Sequence, residues 1–211
     1  MNQIEQQKAA KEFVERWKDF NGTELEGCQK YWMDLLVNVF GLPATLQGVE
    51  FERKVKGRRI DVFYEDRGVL VEQKAPGLDL DKQYERGKDE GGDARLVTPY
   101  QQGKWYADNL PYSIRPRRIV VCNFGEIRVY DQESPNPEKD YISLSLEELP
   151  EKLFMLAFIA DKSESRYVRE KELSVQAGEI VGGLYKSLAA QYANIDTDAH
   201  EQRSLNILLV R

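Results

Sequence analysis

Asp61, Glu72 and Lys74 form the pattern Asp-x10-Glu-x-Lys, and these residue types suit water-activating chemistry at a divalent cation. The residues around them read as a β-hairpin. Its first arm is Arg58-Arg59-Ile60-Asp61-Val62-Phe63-Tyr64, its turn Glu65-Asp66-Arg67-Gly68, and its second arm Val69-Leu70-Val71-Glu72-Gln73-Lys74. β-Branched and aromatic residues flanking a turn closed by glycine are the usual hairpin signal. If Tyr64 pairs with Val69, Asp61 falls opposite Glu72, with Cβ atoms about 4.5–5.5 Å apart. Lys74, two residues beyond Glu72, projects from the same face. Ile60, Val62 and Val71 are expected on the other face, so the arms are buried on both sides and their charges require a reason. The plain alternative is a solvated hairpin carrying scattered charges.

Facing carboxylates in a half-buried sheet repel unless one is protonated or a cation lies between them. Hard oxygen ligands with open positions suit Mg²⁺, with Mn²⁺ a substitute, because Mg²⁺ retains waters and lowers their pKa. A neighbouring lysine then orients or activates the attacking water, or balances charge building on a phosphate. With Asp61 and Glu72 as metal ligands, the backbone carbonyl of Gln73 is the expected third.

Here the sequence resembles the PD-(D/E)xK nucleases: Asp61 matches the acidic element and Glu72-Gln73-Lys74 the Glu-x-Lys element, with Ile60 where that name has proline. Gln102 and Tyr106 share a helix face and resemble a Gln-x-x-x-Tyr element that in some of these nucleases supports the site or touches DNA. The resemblance also implies an acidic residue from the first core helix. Glu24 and Glu26 compete for that place; Glu26 has a capping task, so Glu24 is preferred, with Gln29 extending from the same helix. Arg53, Lys54, Lys56, Arg58 and Arg59 form a basic cluster before Asp61, open equally to phosphate contact and to a reading as solvated strand ends; Lys56, Arg58, Arg59 and, on the later helix, Lys104 are the candidate phosphate contacts. A second basic group, Arg115, Arg117 and Arg118, is open to the same reading or to that of solvated strand ends.

The elements that must position these residues follow. Residues 3–20 form an amphipathic segment ended by Asn21-Gly22. Thr23 opens a helix with Glu26 completing a capping box, and Gly41-Leu42-Pro43 stops it. Phe51–Val55 reads as a strand leading into the hairpin. Ala75-Pro76-Gly77 breaks the second arm, and the acidic, glycine-containing stretch from Leu78 to Leu96 reads as a mobile flap. Thr98-Pro99 opens a helix through Asn109, and Arg118–Asn123 and Glu126–Tyr130 are strands joined by Phe124-Gly125. This order predicts an α/β fold with a mixed sheet flanked by helices; as the resemblance implies, a restriction-endonuclease-like core. Beyond Pro135 and Pro137, Leu144–Ala160, Tyr167–Tyr192 and Ala199–Arg211 read as helices. A boundary near residue 145 separates residues 1–145 from an all-helical connector over 146–211, whose last apolar run has no stop signal, as in a fragment of a longer chain.

Composition narrows the field. With 30 Lys+Arg against 36 Asp+Glu, the net charge of −6 opposes nonspecific coating of nucleic acid. His200 is the only histidine, which removes histidine triads and histidine-ligated metals from the main body. Cys28 and Cys122 lie in apolar patterns and read as buried thiols. No signal peptide or long apolar run is present, so a cytoplasmic chain without membrane contact is expected.

Over nearly its whole length the chain is similar to the N-terminal region of MmeI-like type IIL/IIG restriction–modification proteins, which are often labelled class I DNA methyltransferases. The segments that carry this are Asn21-Gly22-Thr23-Glu24, Gln29–Leu36, Glu72-Gln73-Lys74, Thr98–Gln102 and Val121–Phe124. It implies double-stranded DNA as substrate, and C-terminal methyltransferase and target-recognition domains as partners. S-adenosylmethionine would belong to that absent part, since the chain has neither Asn-Pro-Pro-Tyr nor a glycine-rich cofactor loop. The expected activity is Mg²⁺-dependent endonucleolytic cleavage of DNA. The rivals are a non-catalytic, nuclease-derived DNA-binding scaffold beside a methyltransferase, and an RNA or repair nuclease sharing the core.

Overall fold

The computed structural model describes residues 2–88, 94–161, 166–191 and 198–210. Its contacts divide the chain into two units, Met1–Arg166 and Tyr167–Arg211. The first is built on a six-stranded sheet: β1 (Val49–Val55), β2 (Arg58–Tyr64), β3 (Val69–Gln73), β6 (Arg118–Cys122), β7 (Glu126–Asp131) and β8 (Ile142–Ser145), side by side in that order. Only β3 and β6 run parallel. Parallel neighbours need a crossover, and α3 (Pro99–Asn109) lies within it.

Two apolar cores lie on the two faces. One gathers α1 (Gln3–Trp17), α2 (Glu24–Met33), a π-helical continuation over Asp34–Val39, and one face of the strands, including Val62, Val71, Val120 and Ile127. The other gathers Tyr100, Tyr106 and Ala107 of α3 with Phe63, Leu70, Ile119 and Val121. All five residues of β3 are buried, as a central strand with helices on both faces requires. This three-layered α/β arrangement is the restriction-endonuclease-like core expected from the sequence.

Local signals place the elements that matter most. Thr23 caps α2 and Thr98 caps α3, each in a reciprocal capping box, with Glu26 and Gln101 returning the bond. Gly68 closes the β2–β3 turn at φ 60°, beyond a 3-10 turn over Glu65–Arg67, a left-handed conformation that glycine adopts without penalty.

Four expectations change. The stretch from Leu78 to Leu96, read as a mobile flap, carries most of an antiparallel pair of strands, β4 (Tyr84–Lys88) with β5 (Ala94–Val97); residues 89–93 of that reading lie outside the described residues. Ile142–Ser145 is an edge strand that overlaps the start of the segment read as helix from Leu144. The segment after 145 does not begin a separate connector: α4 (Leu149–Lys152) and a 3-10 stretch over Leu153–Ile159 bury Leu149, Leu153, Leu156 and Ile159 in the first core. Finally, Ile60 does not share a face with Val62. It packs in the α3-side core and Val62 in the other.

The second unit contains α5 (Arg166–Ala189) from Tyr167 onward and α6 (Ala199–Val210); Tyr192 and Arg211 of the helices expected there lie outside the described residues. Among the described residues no helix is long and apolar enough to cross a membrane.

Candidate active site

The register pairs Tyr64 with Val69, Phe63 with Leu70 and Val62 with Val71, as the hairpin spacing requires. The ladder then stops. At the next position the Asp61 carboxylate replaces the missing strand partner, its Oδ2 accepting the Gln73 backbone N–H at 2.6 Å. Glu72 is 1% exposed on the α3 side. Its Oε1 accepts from Lys74 Nζ at 2.5 Å, and among the described residues its Oε2 has no hydrogen-bond partner. Lys74 Nζ also donates to Gln102 Oε1 at 3.3 Å. The predicted trio therefore converges at the end of β3 where β2 splays away.

The electrostatics follow from this crowding. Burial, aided by the neighbouring negative charges of Glu24 and Glu52, pushes the Asp61 carboxyl up to about 7, against the opposing Gln73 N–H and Lys74 ammonium. Glu72 is held well above the usual carboxylate range by burial and then by Asp61. Lys74 is raised: burial opposes its charge, but Glu72, Glu24 and Asp61 outweigh it. The lysine is thus a fixed ammonium at neutral pH, a charge donor and not a base.

Glu24 opens α2 and is brought to this place, its carboxylate taking a hydrogen bond from the Ala75 backbone and facing Lys74. Glu26 is confined to its cap. Gln29 is exposed and donates to the Met33 sulfur at 3.8 Å, a bond within α2 and not one to the carboxylates. Tyr106 is buried beside Gln102, with its phenol pushed up to about 12 by burial and by Glu72. Gly103 permits this approach of α3: a Cβ there would lie 2.8 Å from Ile119 Cγ2 and 3.7 Å from Glu72 Cβ. Gly103→Ala should lower unfolding stability by about 1–2 kcal/mol, overpacking outweighing the gain in helix propensity; denaturant titration checks this, and an unchanged midpoint would count against so close a helix seat.

Of the candidate phosphate contacts, Lys56 is exposed in the β1–β2 turn at φ 47°. Arg58 lies over the Trp105 ring at 5.7 Å, Arg59 pairs with Glu52 at 3.1 Å, and Lys104 pairs with Asp108 along α3. Arg115, Arg117 and Arg118 sit at the opposite end of β6 from Lys74 and are engaged within the protein. Arg115 donates to the Asp108 carbonyl, Arg117 pairs with Asp131 and Glu133, and Arg118 lies over Phe158. That group offers no phosphate site beside the carboxylates.

Several contributors were not legible in the sequence. Trp32 Nε1 donates to the buried Gln73 Oε1 at 2.8 Å, and Gln73 Nε2 donates to the Lys74 carbonyl at 3.2 Å, so α2 holds the backbone between Glu72 and Lys74. Arg128 grips Asp81 with two bonds of 2.6 and 3.0 Å, and Asn123 Nδ2 donates to the Leu78 carbonyl at 2.8 Å. These two tie the loop after Lys74 to β7 and to the turn that follows β6. Glu52, whose charge bears on Asp61 and Glu24, had one available signal: its neighbours Phe51 and Arg53 pair with Val62 and Ile60, the neighbours of Asp61.

The sequence matches the family described as MmeI, N-terminal domain, over residues 6–191 of 211. The chain belongs to that family. The MmeI family ties the chain to restriction–modification enzymes, as one domain of a larger protein that interacts with DNA. No curated protein and no solved structure matches it significantly.

The donor set bears on which cation would fit. Among the described residues no group of three or more His, Cys, Asp and Glu side chains forms a ready-made metal cage. Mg²⁺ needs none, being held by one or two carboxylates while keeping its waters. A buried carboxylate oxygen without a partner, next to a second carboxyl whose proton is held up to about 7, is what such an ion relieves.

Proposed function

We propose that this MmeI-type N-terminal domain is a metal-dependent endodeoxyribonuclease, the cutting module of a restriction–modification protein whose methyltransferase and target-recognition domains lie outside this sequence. The observation that carries it is the unpartnered, buried Glu72 Oε2 beside Asp61, with the Lys74 ammonium 2.5 Å from the other Glu72 oxygen. Asp61 and Glu72, with the Gln73 carbonyl, would hold Mg²⁺ or Mn²⁺. When bound, such a cation polarises the scissile phosphate and lowers the pKa of a water.

The chain's own residues do the rest. Lys74, fixed as a cation, stabilises negative charge on the phosphate and orients the attacking water, a preorganised role that needs no proton to leave its Nζ. Gln102 supports Lys74 at 3.3 Å, with Tyr106 behind it. Glu24 adds negative potential that keeps the lysine protonated. Lys56, Arg58, Arg59 and Lys104 would contact the phosphate backbone, which positions the duplex without reading its sequence.

The test is calorimetric titration of the domain with Mn²⁺, followed by incubation with supercoiled plasmid, single-stranded DNA and RNA in Mg²⁺. Cation binding with plasmid cleavage is expected. Absence of both would favour the scaffold reading, and selective loss of RNA would move the substrate.

A further inference from the structure

Four non-glycine residues among those described have φ in the left-handed region: Leu46, Glu52, Lys56 and Phe124. Three lie in loops or turns. Glu52, at φ 57°, lies inside strand β1, where a side-chain-bearing residue persists in that conformation only if its surroundings over-determine it.

Its neighbours show what the conformation does. Phe51 pairs with Val62 and Arg53 with Ile60, so the register is the same on either side of Glu52 and Asp61, which lie level with each other where the ladder skips a pair. Residues two or four apart on a straight strand share a face. Here Phe51 packs against the core of α1 and α2, and Val55 belongs to the α3-side core. On β2 the same exchange separates Val62 from Ile60. Both strands therefore roll from one layer to the other at the level of Glu52 and Asp61. On an unrolled strand Asp61 would follow Phe63 into the α3-side core. At the pivot it instead reaches across the splayed β2–β3 gap to the Gln73 N–H at 2.6 Å. The Glu52 side chain itself turns away to Arg59 at 3.1 Å and is 44% exposed.

We infer that Glu52 is a positioning residue: its left-handed backbone, not its carboxylate, aims Asp61 at the Gln73 amide and the cation position. The inference rests on the proposed role of Asp61 as a cation ligand, but the aim of Asp61 is measurable without it.

The test compares Glu52→Gly and Glu52→Asn, which tolerate positive φ, with Glu52→Ala and Glu52→Val, which resist it. Amide exchange at Gln73 reports the Asp61 bond, and Mn²⁺ calorimetry and plasmid cleavage report its use. Gly and Asn should keep Gln73 protected and hold Mn²⁺ affinity near that of the parent. Ala and Val should expose the amide and weaken Mn²⁺ by about tenfold or more, as displaced supporting residues do. Cleavage should fall by about a hundredfold. Loss of Mn²⁺ affinity in a folded Gly or Asn variant would overturn the inference, as would a protected Gln73 amide in folded Val. Should Val fail to fold, the Gly and Asn arms still decide. A parent protein that binds no Mn²⁺ and cuts nothing would sink the nuclease reading alone, leaving the amide comparison to judge the aim of Asp61.

Discussion

Lys74→Met should abolish DNA cleavage, a loss of about a thousandfold or more, the scale seen when one preorganised charge donor is removed from a transition state. Methionine keeps the volume and removes the ammonium that Glu72 and Gln102 share. Removing one partner of a buried pair ordinarily costs several kcal/mol, because the other charge is stranded. Here Glu72 has an escape, since its carboxyl is already held well above the usual range and takes up a proton when the lysine is gone. The fold should therefore survive below neutrality. A group raised in the folded state contributes stability that is present at low pH and lost as pH rises, so the variant's deficit in melting midpoint should widen with alkalinity. Plasmid cleavage by a folded Lys74→Met protein at the parent's rate would end the nuclease assignment for this trio.

The second large effect concerns Asp61→Asn, which should stabilise the metal-free protein while removing its response to Mg²⁺. The sign follows from the position of the carboxyl. Its proton is held up to about 7, against an ordinary value of 3.8, chiefly by burial. Stability from the protonated form is complete below the ordinary value and is lost as pH rises to about 7. At pH 8 the ionised Asp61 is then a liability of about 1–2 kcal/mol, allowing for its partial contact with water. Asparagine avoids it and still offers an oxygen to the Gln73 amide. The melting midpoint at pH 8 should rise by about 3–6 °C, with a smaller rise at pH 5 and none below the ordinary value of 3.8.

Saturating Mg²⁺ should reverse the ranking. A ligand at a hundred times its Kd adds about 2.7 kcal/mol to the parent and nothing to the variant. Its binding at and below pH 7 should release protons from the raised carboxyls, so affinity climbs with pH through this range. Equal midpoints for the two proteins from pH 5 to 8, or a retained Mg²⁺ response in Asp61→Asn, would refute this account.

Much of the positioning machinery is local and was legible. The Tyr64–Val69 register follows from side-chain alternation and a glycine-closed turn. Thr23 and Thr98 announce α2 and α3 through side chains three residues away. These signals operate over a few residues, so reading them needs no knowledge of the rest of the chain.

What stayed hidden depends on partners far apart in sequence. The bond from Trp32 to Gln73 spans 41 residues and that from Arg128 to Asp81 spans 47; neither residue type announces its partner. The edge strand β8 carries the pattern Ile-Ser-Leu-Ser, too short to outweigh the helical run that follows. The hairpin β4–β5 is rich in charge and has no apolar alternation to betray it.

By itself the sequence determined that two carboxyls and a lysine would meet on adjacent strands, because register is written in alternation. Only the tertiary structure decided that β2 parts from β3 there, that Asp61 turns across the gap to the Gln73 amide, and that Glu52 provides the roll. Those outcomes come from helices on both faces burying the sheet. Such burial makes an unpartnered carboxylate oxygen costly, and it exists only once the layers have closed.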